Sequence, residues 1–186
     1  MIEKIKNDLK NSLSTYRYKH SILVAEEAKK LAKQYHIDEE KAYITGLLHD
    51  VAKELPEEEN NIWITKYHLD KNLKDERNQK IKHADIGAVL AKEKYHLDDD
   101  CCNAIKYHTI GNKNMNLLAK IIYIADKIGR EEIPKELEPV KKLAYKDIDK
   151  ALLYCLEKQE KKLKNKNIDM HNDTKELLKK LKKTTN

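Results

Sequence analysis

Apolar residues recur at helical spacing along most of the chain. Ile2, Ile5, Leu9 and Leu13 follow one another at intervals of three or four positions, and a segment over about 17–35 repeats this spacing. The whole chain contains 4 Gly and 3 Pro, a shortage of breakers that is typical of helices and not of turn-rich β folds. We therefore predict an all-α fold.

Capping and breaking residues predict where the other helices lie. Asp38 is a candidate N-cap for a helix that runs through about Lys53 and is ended by Leu55-Pro56. The remaining predicted helices cover about 56–68, 82–95, 98–108, 117–128, 140–163 and 172–183. The helix over 117–128 is apolar on most faces, so we predict that it is the central buried helix. Pro134 and Pro139 indicate a loop after it, and we expect the basic end, KKTTN, to be frayed.

Length and composition favour a single domain over residues 1–186 with extensive solvated surface. The chain has 186 residues, 38% of them charged, and a net charge of +6 that is concentrated in the lysine-rich last third. Cys101, Cys102 and Cys155 suggest neither a disulfide framework nor a structural zinc site, so we expect a reducing compartment. No apolar run approaches the roughly 20 residues of a membrane span. These features predict a cytoplasmic protein without a membrane partner.

Several ionisable residues interrupt apolar runs, where an unpaired charge is costly. They are His20, the adjacent pair His49 and Asp50, His83, His108 and Asp126. A paired carboxylate or a carbonyl-bonded histidine would explain each one alone, but bound metal explains them together, because imidazole nitrogen and carboxylate oxygen suit iron, manganese or zinc. Adjacent residues diverge by about 100° around a helix axis. His49 and Asp50 can therefore serve one metal only at a bend, or Asp50 can bridge two.

The order of these residues is similar to that of the HD superfamily of metal-dependent phosphohydrolases. His20, His49-Asp50 and Asp126 carry the superfamily pattern, and His83 and His108 resemble the version with two metals. Five segments in order, RYKHSILVAEEAKKLA, GLLHDVAK, KHADIGAVLAKE, AIKYHTIG and KIIYIADKIGR, resemble the symmetrical dinucleoside-tetraphosphate hydrolases of that superfamily. The resemblance covers about residues 14–131, followed by the C-terminal helices over 140–183.

The resemblance implies an HD-domain helical bundle with a metal site between central helices. It also implies two divalent ions, most often iron, and hydrolysis of diadenosine tetraphosphate to two ADP by a metal-activated hydroxide. By match of position, one metal would be held by His20, His49, Asp50 and Asp126. Asp50 would bridge to a second metal, which His83 and His108 would complete.

Cationic and small residues near these positions are candidates for binding the phosphate chain. Lys53 follows His49 by one turn of the predicted helix, and we assign it to phosphate binding and to charge neutralisation in the transition state. Arg17 and Arg130 are spaced to share a face with His20 and Asp126, respectively. Thr109 and Gly111 follow His108, although this chain reads HTIG where the family usually reads HTTG. Tyr16, Tyr18, Tyr107 and Tyr123 could stack on adenine or simply be core aromatics.

Other functions stay open at this point. The same ligands would serve another nucleotide, such as a nucleoside monophosphate or a cyclic dinucleotide, or a non-catalytic module that senses a nucleotide. Nucleic-acid binding by the lysine-rich end is disfavoured because no nucleic-acid motif accompanies it. Nothing decides between a monomer and a homodimer. We expect His36, His68, His96 and His171 to be caps or surface residues and Asp85 to point away from the ligands.

Overall fold

Ten α-helices and one short 3-10 helix form the structure of the residues described by the computed structural model, which are 1–69 and 79–185. In chain order the helices are α1 (Ile2–Ser12), α2 (Thr15–Gln34), α3 (Glu39–Leu48), α4 (Glu57–Lys66), α5 (Gln79–Tyr95), α6 (Asp99–Tyr107), α7 (Leu117–Ile128), the 3-10 helix (Lys135–Leu137), α8 (Glu138–Ala144), α9 (Ile148–Lys164) and α10 (Asn172–Thr184). No strand occurs in these two ranges, so the all-α prediction is confirmed. Nor do they contain a helix that is both long and apolar enough to cross a membrane.

Helix α7 is the centre of the molecule, as its apolar pattern predicted. Ile121, Ile122, Ile124 and Ala125 are completely buried. The helix packs against α2, α3, α6, α8 and α9, so it belongs to the largest hydrophobic cluster. Full burial of one isoleucine stabilises the fold by about 1.5–3 kcal/mol. A functional side chain on α7 is therefore held by the most extensively packed part of the core.

Gly46 lets α2 and α3 pack very closely. A Cβ atom at this position would lie 2.7 Å from Cα of Ala25, which is backbone and cannot rotate away. Both residues are fully buried in the contact between the two helices. The absence of a side chain at Gly46 thus sets the distance between α2, which carries His20, and the end of α3, which carries His49 and Asp50.

The C-terminal third differs from the prediction in three places. The single helix predicted over 140–163 is wrong, because Asp147 caps a new helix: its side chain accepts hydrogen bonds from the backbone amides of Asp149 and Lys150. Pro139 does not lie in a loop but in the first turn of α8, where its missing N–H is tolerated. Finally, α10 continues to Thr184, so the lysines predicted to fray are helical; Asn186 lies outside the described residues.

Three helices are followed, within two residues of their last position, by a histidine in the left-handed backbone region. His36, His68 and His96 have φ angles of 55°, 49° and 56°, and all three side chains are exposed. This conformation is common one residue beyond a helix end, where it redirects the chain. These histidines therefore have a conformational role at helix ends, as the sequence predicted.

Candidate metal centre

His49 and Asp50 lie where α3 ends, and not inside a helix that continues to Lys53 as predicted. The helix ends at Leu48, and the following backbone closes tight turns: Val51 N–H donates to Leu48 O at 3.1 Å and Lys53 N–H to Asp50 O at 2.9 Å. The change in backbone path lets two adjacent side chains approach the same region. Such a bend was one of the two ways in which the sequence allowed His49 and Asp50 to approach the same metal.

The six ionisable side chains singled out in the sequence meet in one cluster. They come from five places in the fold, namely α2 (His20), the end of α3 (His49 and Asp50), α5 (His83), the end of α6 (His108) and α7 (Asp126). Asp50 Oδ1 lies 3.1 Å from His83 Nε2 and 3.4 Å from His108 Nε2. Asp126 Oδ1 lies 3.1 Å from His20 Nε2 and 3.6 Å from His49 Nε2. The predicted convergence in space is therefore present.

Two of the histidines are oriented by main-chain carbonyls. Nδ1 of His49 lies 2.8 Å from the carbonyl oxygen of Gly46, and Nδ1 of His108 lies 2.7 Å from that of Ile105. A carbonyl can only accept a hydrogen bond, so Nδ1 carries the proton in each ring. This tautomer leaves the Nε2 lone pair directed into the cluster, which is the arrangement found for histidines that bind metals.

The donor set fits a pair of divalent metal ions. Two groups of ligand atoms lie close enough together to hold an ion each: His20, His49 and Asp50, and Asp50, His83 and His108. Asp50 belongs to both. In addition, His49 Nε2 and Asp50 Oδ1 are buried without a hydrogen-bond partner, a situation that ordinarily costs about 1–3 kcal/mol per group. A cation at each group would satisfy these atoms.

Both carboxylates of the cluster are held ionised. Burial raises the pKa of Asp50, but the charge of His49 and the close approach of His108 and His83 outweigh this effect and keep that pKa far below its ordinary value. For Asp126, burial is likewise outweighed, here by the charge of Lys127 and then by His20, so its pKa is also strongly lowered. Ionised oxygens are the form that binds a cation.

The histidines of the second group are held neutral. Burial lowers the pKa of His83 to about 4, against the opposing effect of Asp50, and burial lowers the pKa of His108 as well. His49 differs, because Asp50 and Asp126 outweigh its burial and raise its pKa. At neutral pH His83 and His108 thus have a free lone pair available for a metal.

Two predicted cations, Arg17 and Lys53, reach the cluster. Arg17 Nη1 donates to Asp50 Oδ2 at 2.7 Å, while its Nε is buried without a partner. Lys53 Nζ lies 3.0 Å from His83 Nε2 and 3.9 Å from Asp50 Oδ1. Lys53 arrives there from a turn and not from the predicted helix face shared with His49. Burial lowers the pKa of Lys53, because few water molecules remain to solvate its charge.

Lys127 is a third cation at the site, which the sequence reasoning missed. Its Nζ donates to Asp126 Oδ2 at 2.6 Å, and the charge of Asp126 outweighs burial to raise the pKa of Lys127. Its position directly after Asp126 was the one sign of this contact in the sequence. Adjacent residues on a helix ordinarily point in different directions, so this sign was weak. The long lysine side chain reaches back to its neighbour, so spacing alone did not reveal the contact.

The other predicted phosphate contacts lie farther out. Arg130 is exposed and lines a cleft of about 600 Å³ together with Tyr16 and His20. Thr109 has a buried hydroxyl without a hydrogen-bond partner. Gly111 is not brought to the cluster: its N–H donates to Tyr107 O at 2.8 Å and its Cα faces α10. The φ angle of 70° at Gly111 fits its predicted role in stopping the helix.

A hydrogen-bonded link joins the start of α2 to the turn after Asp50. Ser14 donates to the carboxylate of Glu54 through both its backbone amide, at 2.6 Å, and its hydroxyl, at 2.8 Å. The same hydroxyl accepts from Arg17 N–H at 3.3 Å and caps α2. The helix that carries His20 and the turn that carries Lys53 are thus fixed to each other by four polar groups.

Two further ionisable residues, Asp85 and His171, lie outside the cluster. Asp85, two positions from His83, forms an ion pair with Lys106 at 3.3 Å. His171 is exposed and caps α10 by accepting a hydrogen bond from Asp173 N–H. Both positions agree with the sequence prediction that neither residue would be a ligand.

Comparison with known proteins identifies relatives along most of the chain. Residues 17–131 match the HD domain family. The chain is 35% identical over 167 residues to the symmetrical bis(5'-nucleosyl)-tetraphosphatase of Bacillus subtilis, covering 89% of each protein. It is 32% identical over 176 residues to the protein of the same name from Staphylococcus aureus, covering 93% of this chain and 90% of that one. A crystal structure of a predicted HD superfamily hydrolase involved in NAD metabolism, from Clostridium acetobutylicum, superposes with a TM-score of 0.91, at 39% identity, over 99% of this chain and 98% of that one.

Proposed function

Because the chain belongs to the HD domain family and its relatives along most of its length are named symmetrical bis(5'-nucleosyl)-tetraphosphatase, we propose that it hydrolyses diadenosine tetraphosphate to two ADP. The observation that carries the proposal is the position of Asp50. One of its oxygens approaches His83 and His108, and both candidate metal groups include it. A shared carboxylate between two sets of histidines fits a phosphate-hydrolysing site with two metals.

His20, His49 and Asp126 would hold one metal ion, His83 and His108 would hold the other, and Asp50 would be a ligand of both. When bound, such ions provide a nucleophile from water at neutral pH and withdraw charge from the phosphate oxygens. We propose iron as the native metal, with manganese and zinc as alternatives, since imidazole and carboxylate accept all three.

Arg17 and Lys53 provide positive charge for the phosphate chain. Arg17 holds Asp50 through Nη1, and its unpartnered Nε supplies a second donor for a phosphate oxygen. Lys53 carries its charge beside His83, in the surroundings where charge accumulates on the central phosphates during cleavage. Arginine can make both contacts at once because its donors are arranged in a fixed planar fork.

Substitution of Arg17 by lysine keeps the positive charge at this position and removes the fork of guanidinium donors. We expect Arg17→Lys to lower kcat/KM for diadenosine tetraphosphate by about tenfold or more, because lysine cannot hold Asp50 and a phosphate oxygen together. Metal content should stay near that of the wild type, since Arg17 is not a ligand. Steady-state kinetics and elemental analysis of the same preparation measure both quantities. A variant with unchanged kcat/KM would show that the Nε donor has no role.

The proposed activity is tested by metal analysis and product identification. Protein purified without added metal should contain about two divalent ions per chain. Incubation with diadenosine tetraphosphate should give ADP as the sole nucleotide product on anion-exchange chromatography. Removal of the metal by a chelator should abolish turnover while the far-ultraviolet circular dichroism is retained, and ferrous iron should restore it.

Two results would contradict parts of this proposal. ATP plus AMP as products would exclude symmetrical cleavage. Faster hydrolysis of nucleoside monophosphates or cyclic dinucleotides would assign another nucleotide substrate. The variant His171→Ala, which changes an exposed histidine outside the cluster, serves as the control and should retain the metal. If the metal content of this control also fell, a loss of metal on substitution of a candidate ligand would not report on the cluster.

We also propose that the protein acts in the cytoplasm. Its three cysteines are free thiols, and all are buried. Cys101 and Cys155 pack in the cluster around α7, and Cys102 packs in a second hydrophobic cluster. Unpaired thiols are typical of a reducing compartment.

A further inference from the structure

A large cavity lies beside the candidate metal centre. It has a volume of about 730 Å³ and is bounded by α7, α9 and the 3-10 helix. We call it the lysine cavity, because five lysines line it: Lys127, Lys158, Lys161, Lys162 and Lys166. The volume is in the range of about 300–1,000 Å³ that binding sites for small molecules occupy.

The lysine cavity carries an excess of positive charge. Among the described residues that line it, Glu136 is the one acidic residue. Within the described part of the chain, only Lys127 among the five lysines forms an ion pair. Elsewhere many lysines are paired, as Lys41 is with Asp98 and Lys120 is with Asp149. Positive charges gathered around a concave surface raise the local concentration of anions.

The cavity adjoins the candidate metal centre. Lys127 contributes to both, because its Nζ is bonded to Asp126 Oδ2 and its side chain lines the cavity. Thr109, which directly follows His108, lines the cavity as well, and its buried hydroxyl has no hydrogen-bond partner. An anion in the cavity would therefore lie beside Lys127, which is bonded to the candidate ligand Asp126.

Resting on the proposed function, we propose that the lysine cavity binds one nucleoside diphosphate half of the substrate. The lysines contact the phosphates that lie beyond the metals, and Tyr154 and Leu137 supply a half-buried apolar wall for the base. The other half extends into the separate cleft beside His20, which Tyr16 and Arg130 line. A substrate that is cleaved at its centre needs two such binding regions, one on each side of the bond that breaks.

The test is the affinity for a diadenosine tetraphosphate analogue in which a methylene replaces the central bridging oxygen, so that it cannot be hydrolysed there. We expect the double variant Lys158→Gln/Lys162→Gln, in the metal-loaded protein, to bind this analogue about tenfold more weakly than the wild type, since each exposed ion pair contributes modestly. The dependence of the affinity on salt concentration should also become shallower. Isothermal titration calorimetry at several salt concentrations measures both.

The matched control is Lys29→Gln/Lys33→Gln, which removes two exposed lysines at the same spacing from α2. Its affinity for the analogue should stay within twofold of the wild type. Equal affinities in both double variants would overturn the proposal while leaving the metal centre and the assignment of products intact. A loss of binding to single-stranded RNA without a change for the analogue would also overturn it, in favour of a nucleic-acid surface. ADP formation by the wild type is measured separately, so failure of the proposed function is distinguishable from failure of the cavity assignment.

Discussion

Asp50→Ala should lose both metals and lower the turnover of diadenosine tetraphosphate by at least about a thousandfold. Asp50 is the one residue shared by the two groups of candidate ligands, and its ionised form is strongly favoured. Its removal takes a ligand from each metal and leaves Arg17 without its acceptor. Loss of a metal that provides the nucleophile removes most of the catalysis of such a site. Elemental analysis and initial rates measure the two effects.

The helices should survive this substitution, since the hydrophobic clusters that hold them do not depend on Asp50. Circular dichroism close to that of the wild type would establish this. Asp85→Ala is the control for removal of a carboxylate, because Asp85 lies on α5 near His83 but pairs with Lys106. It should retain metal and most of the activity. Wild-type turnover in Asp50→Ala would refute the bridging role.

Gly46→Ala should destabilise the fold and weaken the metal centre together. The added methyl group would lie 2.7 Å from the backbone of Ala25, so α2 and α3 must move apart. Overpacking of a buried contact typically costs about 1–3 kcal/mol. The same movement would separate His20 from His49 and Asp50. We expect a lower free energy of unfolding in urea and a lower metal content.

Gly87→Ala provides the comparison for this effect. Its added methyl group would meet side-chain atoms at 3.4 Å or more, which is ordinary contact. Since alanine is favoured over glycine inside a helix by about 0.5–1 kcal/mol, Gly87→Ala in α5 should be neutral or stabilising. Similar losses in both variants would mean that the close approach at Gly46 does not control the spacing of α2 and α3.

A helix could be predicted from the sequence wherever its apolar pattern or its capping residue gave one clear signal. The apolar run of α7 and the cap at Asp38 are examples, and both agree with the structure. Prediction failed where two signals competed. Charged residues over 140–163 suited one long helix, but the side chain of Asp147 caps a new one. The end of α3 was missed because GLLHDVAK has no breaker before Pro56, and the turns after Leu48 depend on tertiary contacts such as that between Glu54 and Ser14.

The candidate ligands could be found from sequence because each is an ionisable group in an apolar setting. That signal is local and strong, since burial without a partner is costly. Contacts with phosphate carry no such signal, because a lysine or arginine on a surface is ordinary. Arg17 and Lys53 reach the cluster, whereas Gly111 is turned toward α10. Lys127 went unnoticed since its role depends on where its long side chain reaches.

The link between Ser14 and Glu54 bears on how metal is acquired. It joins the helix that carries His20 to the turn that follows Asp50. Main-chain carbonyls likewise orient the imidazoles of His49 and His108. The loss of chain entropy needed to assemble the donors is therefore borne during folding and not when an ion arrives. We therefore expect the metal-free protein to stay folded, unlike small metallodomains that are unfolded until their ion binds.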